Sequence, residues 1–131
     1  MYYNLANSLY LLNRIDEAIE NYERSLKLNP KKIEAYYNIG NSYCNKNDFN
    51  QAIHYYTKAI SFDPGHEPAV YNLGYAFHRT GDLEQAIKTY KAGISLNSKS
   101  AECHFNLASA YEESGNIENA ITHFTETANL D

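Results

Sequence analysis

Cys44, His78 and Glu112 recur at intervals of 34 residues and could be read as a thiol, an imidazole and a carboxylate set for nucleophilic chemistry. Such a set works only when nucleophile and base come within ~3 Å. Residues one repeat apart sit on neighbouring helices, whose axes are separated by about 8–10 Å. A cysteine side chain is too short to close that gap, so no catalytic residue is expected. No Cys-x-x-Cys or His-x-x-x-His spacing offers a metal-ligand pair. Gly40, Gly74 and Gly81 stand where packing or turns need them and do not form a phosphate-cradling loop. Neither metal nor cofactor is expected.

Composition narrows the class further. The chain has 131 residues, is 44% apolar and carries a net charge of −5, with 13 Tyr and no Trp. That apolar content supports a packed core and argues against disorder. An acidic balance without a basic run speaks against nucleic-acid binding and against a polybasic membrane anchor. No apolar stretch is long enough to span a bilayer, and Met1-Tyr2-Tyr3-Asn4 does not open a signal peptide. Cys44 and Cys103 form no disulfide framework. These features point to an intracellular, cytoplasmic setting.

The elements that position these side chains follow from the period itself. Ala18, Ala52, Ala86 and Ala120 are spaced by 34, each followed by Ile and, four residues on, by Tyr22, Tyr56, Tyr90 or Phe124. Upstream, Leu5, Ile39, Leu73 and Leu107 keep the same interval, each followed by Ala6, Gly40, Gly74 or Ala108. Within a repeat the spacing is helical: Tyr36, Ile39, Gly40 and Tyr43 fall at i, i+3, i+4, i+7. A second helical run holds Ala52, Ile53, Tyr56, Ala59 and Ile60. Asn13-Arg14, Lys46-Asn47-Asp48, Gly81-Asp82 and Gly115-Asn116 break the pattern, with Asn or Gly suited to a left-handed residue after a helix. Each repeat is therefore a pair of antiparallel helices, and such pairs must stack to bury both faces. Gly40 and Ala52 are expected to be the point of helix contact, with Tyr56 filling the gap toward the following repeat.

The run Tyr36-x-x-Ile39-Gly40-x-x-Tyr43, then Ala52, Tyr56, Ala59 and Pro64, resembles the tetratricopeptide repeat over essentially the whole chain. Departures are Val70 and His104 at an aromatic position, Leu9 at a usual Tyr, and Gly93 and Thr127 at a usual Ala. The resemblance implies an all-α, right-handed α-solenoid of four stacked helix-turn-helix repeats, at 1–32, 33–66, 67–100 and 101–131. On this reading repeat 1 lacks its first two positions, and repeat 4 lacks its last three and a capping helix, as in a piece of a longer array.

In the family the first helix of each pair lines a concave groove. Carried onto this sequence, the groove residues expected to bind peptide are Asn4, Asn7, Tyr37, Asn38, Asn41, Tyr71, Asn72, Tyr75, Arg79, Phe105 and Asn106. Asn4, Asn38, Asn72 and Asn106 form a ladder whose amides can both donate to and accept from a peptide backbone. Asn inside a helix costs roughly 0.7 kcal/mol relative to Ala, and no packing return is expected for it. The ladder is similar to that in the tetratricopeptide arm of O-GlcNAc transferases and in consensus-type arrays. Tyr3, Tyr37, Tyr71 and Phe105 form a second ladder, read either as partner anchors or as packing against the adjacent first helix.

The implied activity is non-catalytic binding of an extended peptide, with a protein partner that is basic near repeat 4, where Glu102, Glu112 and Glu113 gather. Chaperone C-terminal tails are not expected, because Tyr and Asn occupy the sites of the clamp's Lys and Arg. Two alternatives are a scaffold that self-associates through Phe124, Ala128 and Leu130 at one end and Tyr2 and Leu9 at the other, and a recruiting arm of a larger enzyme such as a glycosyltransferase. His54 and His123 are expected to be solvated, and His104 to fill the vacated aromatic slot.

Overall fold

The computed structural model describes residues 1–130, and Asp131, the last position of the fourth repeat, lies outside the described residues. It contains eight helices in chain order: α1 (Tyr2–Leu11), α2 (Ile15–Leu28), α3 (Ile33–Asn45), α4 (Phe49–Phe62), α5 (Glu67–Arg79), α6 (Leu83–Leu96), α7 (Ala101–Glu113) and α8 (Ile117–Leu130). No strand occurs among the described residues.

The turns inside the hairpins form as the Asn and Gly pattern predicts. Asn13 (φ 61°), Asn47 (φ 60°), Gly81 (φ 84°) and Gly115 (φ 88°) are left-handed. Each lets the next amide reach back to the helix: Arg14 N–H donates to Leu9 O at 2.9 Å and Asn116 N–H to Tyr111 O at 2.8 Å. This satisfies carbonyls that the helix end would leave open. Helices α4 and α6 then start on side-chain caps, with Asp48 accepting from Gln51 N–H and Asp82 from Gln85 N–H, both at 3.2 Å.

The chain forms two compact bodies, Met1–Pro64 and Gly65–Asp131. In the first, Ala6, Leu9, Ala18, Ile19, Tyr22 and Ile39 make the core. Leu9 is only 7% exposed, so it does not belong to an open end as the sequence suggested; it packs inside the α1–α2 hairpin core. In the second body, Ala86, Tyr90, Leu107, Ala110, Tyr111 and Ala120 make the core.

The small residues of the first helices meet the aromatic ring of the second helix. A Cβ on Gly40 would lie 2.5 Å from Tyr56 Cε1, and one on Gly74 would lie 2.7 Å from Tyr90 Cδ1. The missing methyl makes room for the aromatic ring of the same hairpin. Tyr56 therefore packs back onto α3, and its ring makes the tightest approach to Gly40.

Candidate functional site

Successive residues on a helix are about 100° apart. One residue of a first helix can thus look back toward the preceding repeat while its neighbour looks forward. The structure uses this offset. Asn38 Nδ2 donates to the Tyr3 hydroxyl at 3.0 Å, and Asn106 Nδ2 donates to the Tyr71 hydroxyl at 2.8 Å. Asn45 Nδ2 donates to the Tyr10 hydroxyl at 2.6 Å, and His78 Nε2 meets Glu113 Oε1 at 3.0 Å. All four pairs are 35 residues apart, one more than the repeat period.

The carboxylate beside His78 is Glu113, not Glu112, and Cys44 Sγ lies 3.4 Å from the Tyr56 hydroxyl of its own hairpin. The ladder asparagines also have a structural return after all: Asn38 and Asn106 tie neighbouring repeats together.

In the first body, Asn7 Oδ1 accepts from the Tyr22 hydroxyl at 2.5 Å and lies 3.4 Å from Asn38 Nδ2. Asn41 Oδ1 accepts from the Tyr56 hydroxyl, also at 2.5 Å. Tyr3 and Tyr37 set their rings beside Tyr22 and Tyr56, at centroid distances of 5.8 and 5.9 Å. Asn4 is exposed on α1, and its side-chain amide has no partner among the described residues.

In the second body, Tyr71 packs 6.3 Å from Tyr90, and Phe105 meets Phe124 edge-on at 5.8 Å. The aromatic ladder thus packs against the second helix of its own hairpin, while the Tyr3 and Tyr71 hydroxyls reach forward to the next repeat. Phe105 remains 51% exposed. Arg79 Nη1 donates to the Tyr75 hydroxyl at 3.0 Å, and Asn72 is half-buried on α5.

Asn106 Nδ2 also donates to the Glu102 carbonyl at 3.0 Å. A carbonyl only accepts, so this contact fixes which amide atom is nitrogen. Oδ1 of Asn106 and of Asn38 accepts no hydrogen bond among the described residues, and neither is a buried orphan. Each Tyr clamp therefore holds an amide with its oxygen still able to accept.

Burial raises the phenols of the core. Tyr22 is pushed up to about 12, first by burial and then by Tyr3 and Tyr10. Tyr56 and Tyr90 are raised further, again mainly by burial. Repeat 3 breaks the pattern in one respect. Where Asn7 and Asn41 accept from the hairpin tyrosine, the third repeat has Tyr75, and the buried Tyr90 hydroxyl has no partner.

Eight helices in antiparallel pairs, with left-handed Asn or Gly between partners and small residues under an aromatic ring, define the helical-hairpin repeat class. Models described as TPR repeat match residues 6–47 and 74–115, and models described as tetratricopeptide repeat match 33–66, 55–88 and 101–131. The chain belongs to the tetratricopeptide repeat family, an all-α solenoid fold. It is a protein-interaction module of a kind that is typically non-catalytic.

Solved structures agree on the fold. A crystal structure of MamA superposes with a TM-score of 0.95 at 23% identity, covering 98% of this chain and 75% of that one. MamA AMB-1 gives 0.91 at 25% identity, covering 99% and 71%. A MamA structure from Desulfovibrio magneticus RS-1 gives 0.92 at 22% identity, covering 98% and 73%. No curated protein matches the chain at a significant level. No helix among the described residues is long and apolar enough to cross a membrane.

Proposed function

We propose that the first-helix faces of this chain bind an extended polypeptide, through Asn amides that contact its backbone and aromatic side chains that receive its side chains. One observation carries the reading: the Tyr–Asn rungs hold Asn38 and Asn106 with Nδ2 occupied and Oδ1 open. An oriented acceptor captures a backbone N–H without ordering a loose side chain, which lowers the entropic cost of binding. The exposed Asn4 amide and the Phe105 ring add a donor–acceptor group and an apolar anchor. Asn7, Tyr37, Asn41, Tyr71, Asn72, Tyr75 and Arg79 complete the surface, on repeats bounded at 1–32, 33–66, 67–100 and 101–131.

Exposed Glu102 and Glu112, beside Glu113, favour a partner segment with Lys or Arg near α7. Peptides selected from a random display library against the full chain test this. Binders enriched in basic residues, and weakened by Asn4→Ala and Phe105→Ala in a chain of unchanged helicity, support the reading. Binders indifferent to both substitutions refute it.

A further inference from the structure

The α7–α8 hairpin carries two histidines where the α3–α4 hairpin has tyrosines. Two periods of 34 relate Tyr36 to His104, Tyr43 to Tyr111 and Tyr55 to His123. In α3–α4 the Tyr36 hydroxyl donates to the Pro30 carbonyl at 2.8 Å, and Tyr55 stacks on Tyr43 at 5.7 Å and 17°. In α7–α8, His104 Nε2 lies 2.9 Å from the Ser98 carbonyl, and His123 stacks on Tyr111 at 5.7 Å and 19°. The imidazoles keep both tyrosine contacts and add a new one. His104 Nδ1 and His123 Nδ1 are 3.1 Å apart, with ring centroids at 5.3 Å and the planes 26° apart, so the nitrogens meet edge to edge.

The partners fix where the protons sit. Ser98 offers a carbonyl, which only accepts, so His104 Nε2 carries a hydrogen. In neutral His104 the other nitrogen, Nδ1, is then a bare acceptor, and His123 Nδ1–H donates to it. A third ring proton can enter at His123 Nε2 and leave this bond intact. A fourth must enter at His104 Nδ1, and it sets one N–H against another at 3.1 Å. The contact survives three ring protons and fails at four.

We propose that His104 and His123 form a proton-operated latch that fastens α8 to α7 near neutral pH and releases it when both rings are charged. The charged surroundings come from three helices. On α6, Lys91 Nζ lies 5.6 Å from the centroid of Tyr111, the ring on which His123 stacks. Burial lowers the proton affinity of His123 most, then His104; Glu126 on α8 opposes this and Lys91 reinforces it. An imidazole depressed in the fold takes up fewer protons than in the unfolded chain below about pH 6.5, so stability falls as pH drops through that value. His104 is 5% exposed, so the contact with His123 lies inside the hairpin. Phe124, on the latched helix, lies edge-on to Phe105, so release of α8 withdraws the support behind that ring.

Amide exchange by NMR on the full chain tests the latch. Between neutral pH and about pH 5, protection factors in α8 should fall about tenfold or more relative to those in α2. In His104→Tyr, which restores the Tyr36 arrangement without a titrating acceptor, the ratio should stay flat. The same response in both proteins, or none in the wild type, overturns the proposal. Should that variant fail to fold, His123→Tyr takes its place, since Tyr55 on Tyr43 shows that a phenol fits the stack. Imidazole nitrogen spectra at neutral pH give an independent reading: His104 must hold its proton on Nε2, and the opposite tautomer also overturns the latch.

Discussion

Asn106 donates through Nδ2 to the Tyr71 hydroxyl at 2.8 Å, and so links α7 to α5 across one repeat. The same rung joins Asn38 to Tyr3 at 3.0 Å in the other body. The ladder asparagines therefore act in folding as well as in the proposed binding. Tyr71→Phe and Tyr3→Phe should each cost about 1 kcal/mol in urea unfolding, the net worth of one hydrogen bond. They should also weaken a bound peptide, because the Asn amide loses its orientation. Unchanged stability in both variants would show that the rungs contribute nothing.

The hairpin tyrosines make a matched comparison. Tyr22 and Tyr56 donate to Asn7 and Asn41, whereas the buried Tyr90 hydroxyl has no partner. Removing a bonded hydroxyl strands its acceptor, while removing an orphaned one abolishes a desolvation cost. Tyr56→Phe should destabilise by about 1–2 kcal/mol, and Tyr90→Phe should be neutral or stabilising. Thermal melts of the two variants check the sign. Equal losses would mean that the Tyr90 hydroxyl is satisfied in solution.

Glycine-to-alanine changes usually favour a helix by about 1 kcal/mol. Gly40→Ala should do the reverse here, because its methyl would lie 2.5 Å from the Tyr56 ring. A net loss of about 1–3 kcal/mol is expected in denaturant unfolding, the usual size of an overpacked core. A stabilised Gly40→Ala would show that the ring moves aside freely.

The repeat period, the eight helices, the left-handed turn residues and the need for a small residue near Gly40 were all legible in the sequence. Periodic spacing and residue size report directly on helix faces and on close approach. The rungs were not legible, because residues 35 apart become partners only through the rotation of one hairpin against the next. The broken column Asn7, Asn41, Tyr75 was visible as a departure from the period. Its consequence for Tyr90 needed the knowledge that Asn accepts from the hairpin tyrosine. His123 was expected in solvent because the sequence gives no sign that His104 lies beside it; the structure stacks it on Tyr111 and bonds it to His104.

Alkaline pH probes the same phenols. Tyr22 is raised to about 12, while in an unfolded chain a tyrosine ionises near 10. Above pH ~10 the folded protein holds more protons than the unfolded one, so stability falls as pH rises from ~10 through the folded value. Phenolate absorbance should show exposed tyrosines ionising first, with Tyr22, Tyr56 and Tyr90 following only as the fold is lost. A single transition near pH 10 with native helicity retained would contradict their burial.

The most direct measurement is the calorimetric affinity of a selected peptide for the wild type and for Asn38→Ala/Asn72→Ala. It is taken where circular dichroism shows both proteins fully folded, because loss of the Tyr3–Asn38 rung lowers stability on its own. The peptide-binding account predicts that the double variant loses about 1–3 kcal/mol of binding free energy, from roughly 1 kcal/mol per hydrogen bond. Equal affinity in the two folded proteins would contradict it.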